Sequence, residues 1–160
     1  MRPANGGVVM VNFIADFIAP DGPAWVLDWL AEAERLRAEL NDVAGINRRL
    51  AYWDQRNPKP RGTVSDLANH IDNIRDVAGI DHIGIGSDYY TDAPDAMSVG
   101  LEDLTTYPNL FAELLSRGYT DEELKQIAGL NLLRAMRGME ETAARLQAEG
   151  RLVPYDRYGR

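Results

Sequence analysis

Two stretches decide the fold: Gly6-Gly7-Val8-Val9-Met10-Val11-Asn12-Phe13 and, further along the chain, Ile83-Gly84-Ile85-Gly86-Ser87-Asp88. The first is short, rich in β-branched residues, and bounded by glycines ahead and by Pro20, Gly22 and Pro23 behind. It predicts a strand over 8–13 that is apolar on both faces, as parallel strands are. The second predicts a strand over 83–86, whose glycines imply close approach of another backbone or a ligand. Between them lies a clear helix. Thr63 and Asp66 form a capping box with Asp in place of the usual Glu. Val64, Leu67, Ile71, Ile74 and Ala78 follow at helical period, and Gly79 is the stop. A helix leading directly into the second strand makes a β–α–β unit, which joins parallel strands.

Working outward, a helix over about 24–40 starts behind Pro23, where a first-turn proline is tolerated. It puts Val26, Trp29, Leu30, Ala33, Leu36 and Leu40 on one side and Asp28, Glu32, Arg35 and Glu39 on the other. A shorter helix over about 46–56 ends before the stiff loop Asn57-Pro58-Lys59-Pro60. After the second strand comes a polar loop from Asp88 to Asp103. A helix over 107–117 turns Leu110, Phe111, Leu114 and Leu115 inward, with Gly118 as its stop. The Thr120–Glu123 capping box opens a last helix carrying Leu124, Ile127, Ala128, Leu132, Ala135 and Met136, which runs to about Glu149. The class is therefore α/β, but two buried parallel strands do not make a self-sufficient sheet. The pattern reads as a piece of a larger fold whose open strand edges predict an oligomeric or poorly soluble chain.

Composition narrows the function. A chain of 160 residues suits one domain. With 17 Lys+Arg against 25 Asp+Glu, the net charge of −8 argues against a nucleic-acid partner. The lack of cysteine excludes disulfides and thiolate metal sites. No stretch reaches the ~18–20 apolar residues of a membrane helix; the best run, Val8 to Ile14, contains Asn12 and is soon broken by Asp16. Neither a signal-peptide nor a lipid-anchor pattern is visible. The expectation is a cytoplasmic chain without a membrane partner.

The most informative candidate is Asp88, directly after the second strand, because functional groups in α/β folds gather at the C-terminal ends of parallel strands. A carboxylate there can take a proton from water or hold a substrate ammonium; it can equally cap a turn. His70-Ile71-Asp72 has the His-x-Asp spacing of metal hydrolases. On a strand those two side chains share a face, but on a helix they diverge by about 200°, so it is rejected as a metal site. His82 falls at the wrong end of its strand, leaving no zinc constellation in this chain. Gly84-Ile85-Gly86 lies within a strand and opens no helix, so it is not a dinucleotide fingerprint. Asn131 falls on the apolar stripe of the last helix, where it must be hydrogen-bonded and is expected to tie that helix to the strand-end loop. Glu102-Asp103 is either an acidic surface loop or a helix cap.

Taken in order, Gly-Gly-Val-Val-Met-Val-Asn-Phe (6–13), Val-Ser-Asp-Leu-Ala-Asn-His-Ile-Asp-Asn-Ile (64–74), Val-Ala-Gly-Ile-Asp-His-Ile-Gly-Ile-Gly-Ser-Asp (77–88), Gly-Leu-Glu-Asp (100–103), Tyr-Pro-Asn-Leu (107–110) and Asn-Leu-Leu-Arg (131–134) resemble the membrane dipeptidase (renal dipeptidase) family. The segment 21–61 resembles the helical insertion of bacterial-type members. The resemblance implies the C-terminal part, about strands seven and eight with their flanking helices, of a (β/α)8 TIM-type barrel. It implies a dipeptide-hydrolysing metallopeptidase with two zinc ions that polarise the scissile carbonyl and supply hydroxide. Asp88 matches the strand-eight aspartate that meets the bridging water and the substrate's amino group, and Phe17 the substrate-side aromatic after strand seven.

The chain departs from the family pattern in places. The metal-binding His, Asp and Glu belong to earlier strands and have no counterpart here. Asp88-Tyr89-Tyr90-Thr91 replaces an Asp-aromatic-Asp-Gly run, and Gly129-Leu130-Asn131 replaces Gly-Gly-Asn. A barrel of this type needs ~200–250 residues or more. Two readings follow: a zinc dipeptidase represented by its C-terminal part, inactive alone and completed by an N-terminal portion, or a non-catalytic scaffold or partner subunit derived from that barrel.

Overall fold

The computed structural model describes residues 5–89 and 96–151. Its regular elements are β1 (Val9–Val11), α1 (Ala15–Ile18), α2 (Gly22–Glu39), α3 (Val43–Arg56), α4 (Val64–Ala78), β2 (Ile83–Ile85), α5 (Tyr107–Ser116), α6 (Asp121–Lys125) and α7 (Asn131–Ala148). Helices dominate, with one small sheet. β1 and β2 pair in parallel, with Val9 opposite Ile83, Met10 opposite Gly84 and Val11 opposite Ile85. Among the described residues no helix is long and apolar enough to cross a membrane.

The crossover helix forms as its sequence dictates. Thr63 Oγ1 accepts from the Asp66 N–H, and Asp66 Oδ2 accepts from the Thr63 N–H at 2.9 Å. At the far end Gly79 takes φ 96°, a conformation that favours glycine, and its N–H closes on the Arg75 carbonyl. The stripe buries Leu67, Ala68 and Ile71 in one cluster with Phe13, Ile83, Leu110, Leu114 and Ile127. Arg117 fastens α5 to α4. Its guanidinium donates to Glu113, to Asp72 Oδ2 at 2.7 Å and to Asn69 Oδ1 at 2.8 Å.

Several local expectations change. The strand predicted over 8–13 is shorter, and it is not buried on both faces: Val11 is buried, but Val9 and Met10 are 49% and 40% exposed. Among the described residues the sheet supplies a neighbour on the β2 side only. A Cβ on Gly84 would lie 2.6 Å from Met10 Sδ and 3.0 Å from Val8 Cγ1, so the close approach at this glycine is by neighbouring side chains. The predicted polar loop after β2 keeps Asp88, Glu102 and Asp103 exposed, but it also buries Ala96, Met97, Ser98 and Leu101. Backbone bonds lace it across the sheet end, Ala15 N–H to Ala96 O at 2.8 Å and Ser98 N–H to Phe13 O at 2.9 Å.

The predicted last helix is broken. A π-type turn over Gln126–Leu130, with Gly129 at φ 171° and ψ −23°, separates α6 from α7. Leu132 and Met136, expected inward, are exposed on α7, as Leu30 is on α2 and Leu115 on α5. The short helix α1 was not expected. α2 and α3 pack on one another around Ala33, Leu36 and Leu50.

Candidate active site

Because β1 and β2 run parallel, their C-terminal ends lie at one end of the sheet. The backbone there stays paired beyond the strands: Gly86 N–H donates to Val11 O at 2.9 Å, and Phe13 N–H to Ser87 O at 3.2 Å. The next residue is Asp88, which is exposed. Its φ of 62° makes it the one non-glycine residue in the left-handed region among the described residues. Aspartate tolerates that region better than most residues, at a cost of about 1–2 kcal/mol.

The turn is braced on both sides. The Tyr107 hydroxyl donates to Ser87 Oγ at 2.9 Å. The Tyr89 hydroxyl points at the carbonyls of Leu101 and Asp103, at 3.1 and 3.0 Å. Phe13 packs edge-on to Tyr89 at 5.8 Å and against Tyr107 at 5.4 Å between ring centres. Burial pushes the Tyr89 phenol above its ordinary range, against the opposing pull of a hydrogen bond with Thr106. Tyr89 therefore stays a neutral donor across ordinary pH. These braces were missed from sequence, although the aromatic at 89 and the serine at 87 flank Asp88 directly.

Phe17 lies on α1, just past the end of β1, and is 61% exposed. It lines a cavity of about 300 Å³ with Pro20, Pro23, Asn69 and His70. Asp88 is not part of that cavity wall, so the two predicted substrate-side residues share an end of the sheet but not this cavity.

The other candidates resolve cleanly. His70 is exposed on α4, while Asp72 accepts from Tyr119 Oη at 2.7 Å and from Arg117. Burial, then the Asp72 hydrogen bond, pushes the Tyr119 phenol well up. His82 Nδ1 lies 2.7 Å from Gly7 O, at the N-terminal end of the sheet. Asn131 is buried as expected, but its amide donates to Ile80 O at 2.8 Å and Ile83 O at 2.9 Å. It ties α7 to the start of β2, not to the loop at the strand's end. Asp103 is a helical cap, accepting from the Thr105 N–H at 2.7 Å, while Glu102 accepts from Gly100 N–H at 2.9 Å. The Thr105 hydroxyl, then its N–H, holds the Asp103 carboxyl below the usual range. Tyr90 and Thr91 lie outside the described residues.

Among the described residues no group of three or more His, Asp or Glu side chains converges to hold a metal ion. The described residues do not by themselves supply ligands for a pair of zinc ions.

The sequence model of the membrane dipeptidases (Peptidase family M19) matches residues 3–150. The chain belongs to the membrane dipeptidase family. Two relatives match over 88 residues, 55% of this chain. One is Dipeptidase ataJ of Aspergillus terreus (strain NIH 2624 / FGSC A1156), 43% identical over 88 residues that make up 21% of that protein. The other is Dipeptidase verJ of Clonostachys rogersoniana, 39% identical over 88 residues that make up 22% of its length. The probable dipeptidase PvdM from Pseudomonas aeruginosa has a similar structure, with a TM-score of 0.60 and 25% identity over 81% of this chain and 36% of that one. This membrane dipeptidase-family chain thus spans about a fifth of the relatives, at 21% and 22%, and about a third of the solved structure, at 36%.

Proposed function

We propose that this chain is the C-terminal part of a metallodipeptidase of (β/α)8 type, with β1 and β2 as its seventh and eighth strands and 21–61 as a helical insertion within that one domain. The observation that carries the reading is Asp88, held left-handed and exposed at the C-terminal end of a parallel strand, between two residues whose side chains are both anchored. Strain at an exposed carboxylate is characteristic of functional positions. In this reading Asp88 receives the ammonium of a dipeptide or the proton of the attacking water. Phe17 offers an apolar surface to the substrate from the same end of the sheet. The family's members are generally metal-dependent, and zinc pairs polarise carbonyls and supply hydroxide. The described residues bring no such ligand set together; in this reading the metal ligands come from a complementing N-terminal portion.

The test is a dipeptidase assay with added zinc. The full 160-residue chain alone is expected to be inactive. Mixed with the N-terminal part of a longer family member, it is expected to give turnover that Asp88→Ala abolishes. Turnover by the chain alone overturns the ligand accounting. A stable complementing mixture with no turnover favours the non-catalytic scaffold.

A further inference from the structure

The α2–α3 hairpin carries a second cleft that has no part in the Asp88 end of the sheet. Its volume is about 620 Å³, and Arg35, Arg48, Arg49 and Arg56 line it with Tyr52 and Trp53. Glu32 is the one carboxylate of its wall. Four arginines around one cleft stand out in a chain of net charge −8. The α3 sequence explains the clustering. Arg49, Tyr52, Trp53 and Arg56 recur at i, i+3, i+4 and i+7, one face of a helix, and Arg48 is four residues before Tyr52.

The arginines are not equally committed. Arg35 is fully engaged, donating to Glu32 at 2.6 and 2.8 Å and to Glu39 at 2.7 Å. The carboxylates paired with Arg48 and Arg49 stand off at 3.7 Å (Asp42) and 3.9 Å (Glu39). Both are already used: Asp42 caps α3 through the N–H groups of Ala44 and Gly45, and Glu39 holds Arg35. Arg56 donates to the Tyr52 hydroxyl at 3.3 Å and lies over that ring at 5.7 Å. Each guanidinium carries five N–H donors, so Arg48, Arg49 and Arg56 keep most of theirs for another partner. The Tyr52 ring beside them is largely uncovered.

We propose that this cleft binds a nucleoside polyphosphate. Its phosphate oxygens would accept from Arg48, Arg49 and Arg56 in the forked geometry that guanidinium gives phosphate. Its base would stack on Tyr52, since every base offers a π-face to an aromatic side chain. Glu32 keeps Arg35 occupied, which confines the bound charge to the α3 side of the cleft.

The test is titration of the full chain at low salt, without divalent ions, using ATP, inorganic tripolyphosphate and adenosine, read by tryptophan fluorescence and calorimetry. ATP is expected to saturate one site and to weaken as salt rises. Arg48→Gln, Arg49→Gln and Arg56→Gln are each expected to weaken it about threefold or more, while Arg37→Gln, on α2 outside the cleft wall, leaves it unchanged. All four arginines are exposed, so far-UV circular dichroism should not move. Tripolyphosphate and adenosine should each bind more weakly than ATP, and Tyr52→Ala should erase the margin over tripolyphosphate. No saturable ATP binding, or binding indifferent to Arg48→Gln, Arg49→Gln and Arg56→Gln combined, overturns the proposal. Tripolyphosphate as tight as ATP, or a poly-glutamate peptide tighter than either, overturns the nucleotide assignment.

Discussion

The sheet region and the α2–α3 hairpin are built on opposite plans. Around the sheet, Phe13, Leu67, Ile71, Ile83, Leu110, Leu114 and Ile127 are fully buried, drawn from segments far apart in the chain. The hairpin buries Ala33, Leu36 and Leu50 and adds Trp29, Leu40 and Ile46 at its margins. Its ion pairs, Arg35 with Glu32 and Glu39, lie on an open surface, where such pairs contribute little. The sheet region is therefore a cooperative unit in which any loss is shared, and the hairpin a local one. The sheet region nevertheless leaves Val9 and Met10 uncovered, while the hairpin leaves arginines uncovered. The first is a surface suited to more protein of the same fold, the second to a charged ligand.

Core truncation gives the sharpest contrast. Ile71→Ala is expected to cost about 3–4 kcal/mol in denaturant unfolding, the transfer and cavity cost of a fully buried isoleucine, and to lower hydrogen-exchange protection throughout 64–83. Leu36→Ala is expected to lower protection within 22–56 and leave α4 unchanged. Equal spread of both effects would erase the distinction between the two regions. Next in size is Asn131→Ala, which strips the partner from two backbone carbonyls at the start of β2. The expected cost is about 2 kcal/mol, and Asn131→Asp should not restore it, because a carboxylate cannot donate to those carbonyls.

What was legible in the sequence follows the same division. α4 was readable in full because its cap, stripe and stop are local signals, and all three act on one helix. The parallel pairing followed from α4 leading into β2. Family membership rested on ordered motifs across the chain. The burial of 96–98 and of Leu101 was not readable, because this segment is held by backbone bonds to Phe13, Ala15 and Gly62, none of them adjacent in sequence. The interruption at Gly129 was hidden by an apolar stripe that continues through it. For the candidate site, the position of Asp88 was readable from the strand before it. Its left-handed backbone and its Tyr107 and Tyr89 braces were not, since they need the loop and α5 folded back on β2.

The exposed strand edge gives a third contrast. Val9 and Met10 are exposed on opposite faces of β1, and among the described residues that strand pairs on one edge only, an arrangement that favours association. The chain is expected to sediment as an oligomer, and Met10→Lys, which puts a charge on one exposed face of β1, to shift it toward monomer. Arg48→Gln on the hairpin should leave the association state alone. A monomeric parent chain, or an oligomer untouched by Met10→Lys, would show that the exposed side of β1 is not the associating surface.

The smallest expected effect separates two glutamates by their surroundings. Glu123 is held below its ordinary value of 4.5 by the Thr120 N–H, then by the Thr120 hydroxyl and Arg75, with burial pulling the other way. Glu32 is lowered mainly by the hydrogen bond from Arg35, a neighbour on the same helix, again with burial pulling the other way. A depressed carboxyl binds fewer protons in the folded state, so its stabilisation is complete above the unfolded pKa and is lost as pH falls through the lowered folded one. Glu123 closes the α6 cap and also reaches Arg75 on α4, with its side chain 18% exposed. Glu123→Gln is thus expected to cost about 0.5–1 kcal/mol near neutral pH and to flatten the decline in Tm below pH 4.5. Glu32→Gln is expected to leave both the neutral Tm and its acid limb nearly unchanged, because its pairing stays within α2 and an ion pair to a half-exposed arginine contributes little. If Glu32→Gln flattened the acid limb as much as Glu123→Gln, the hairpin would be coupled to the sheet region, and the division between a shared core and a local one would fail.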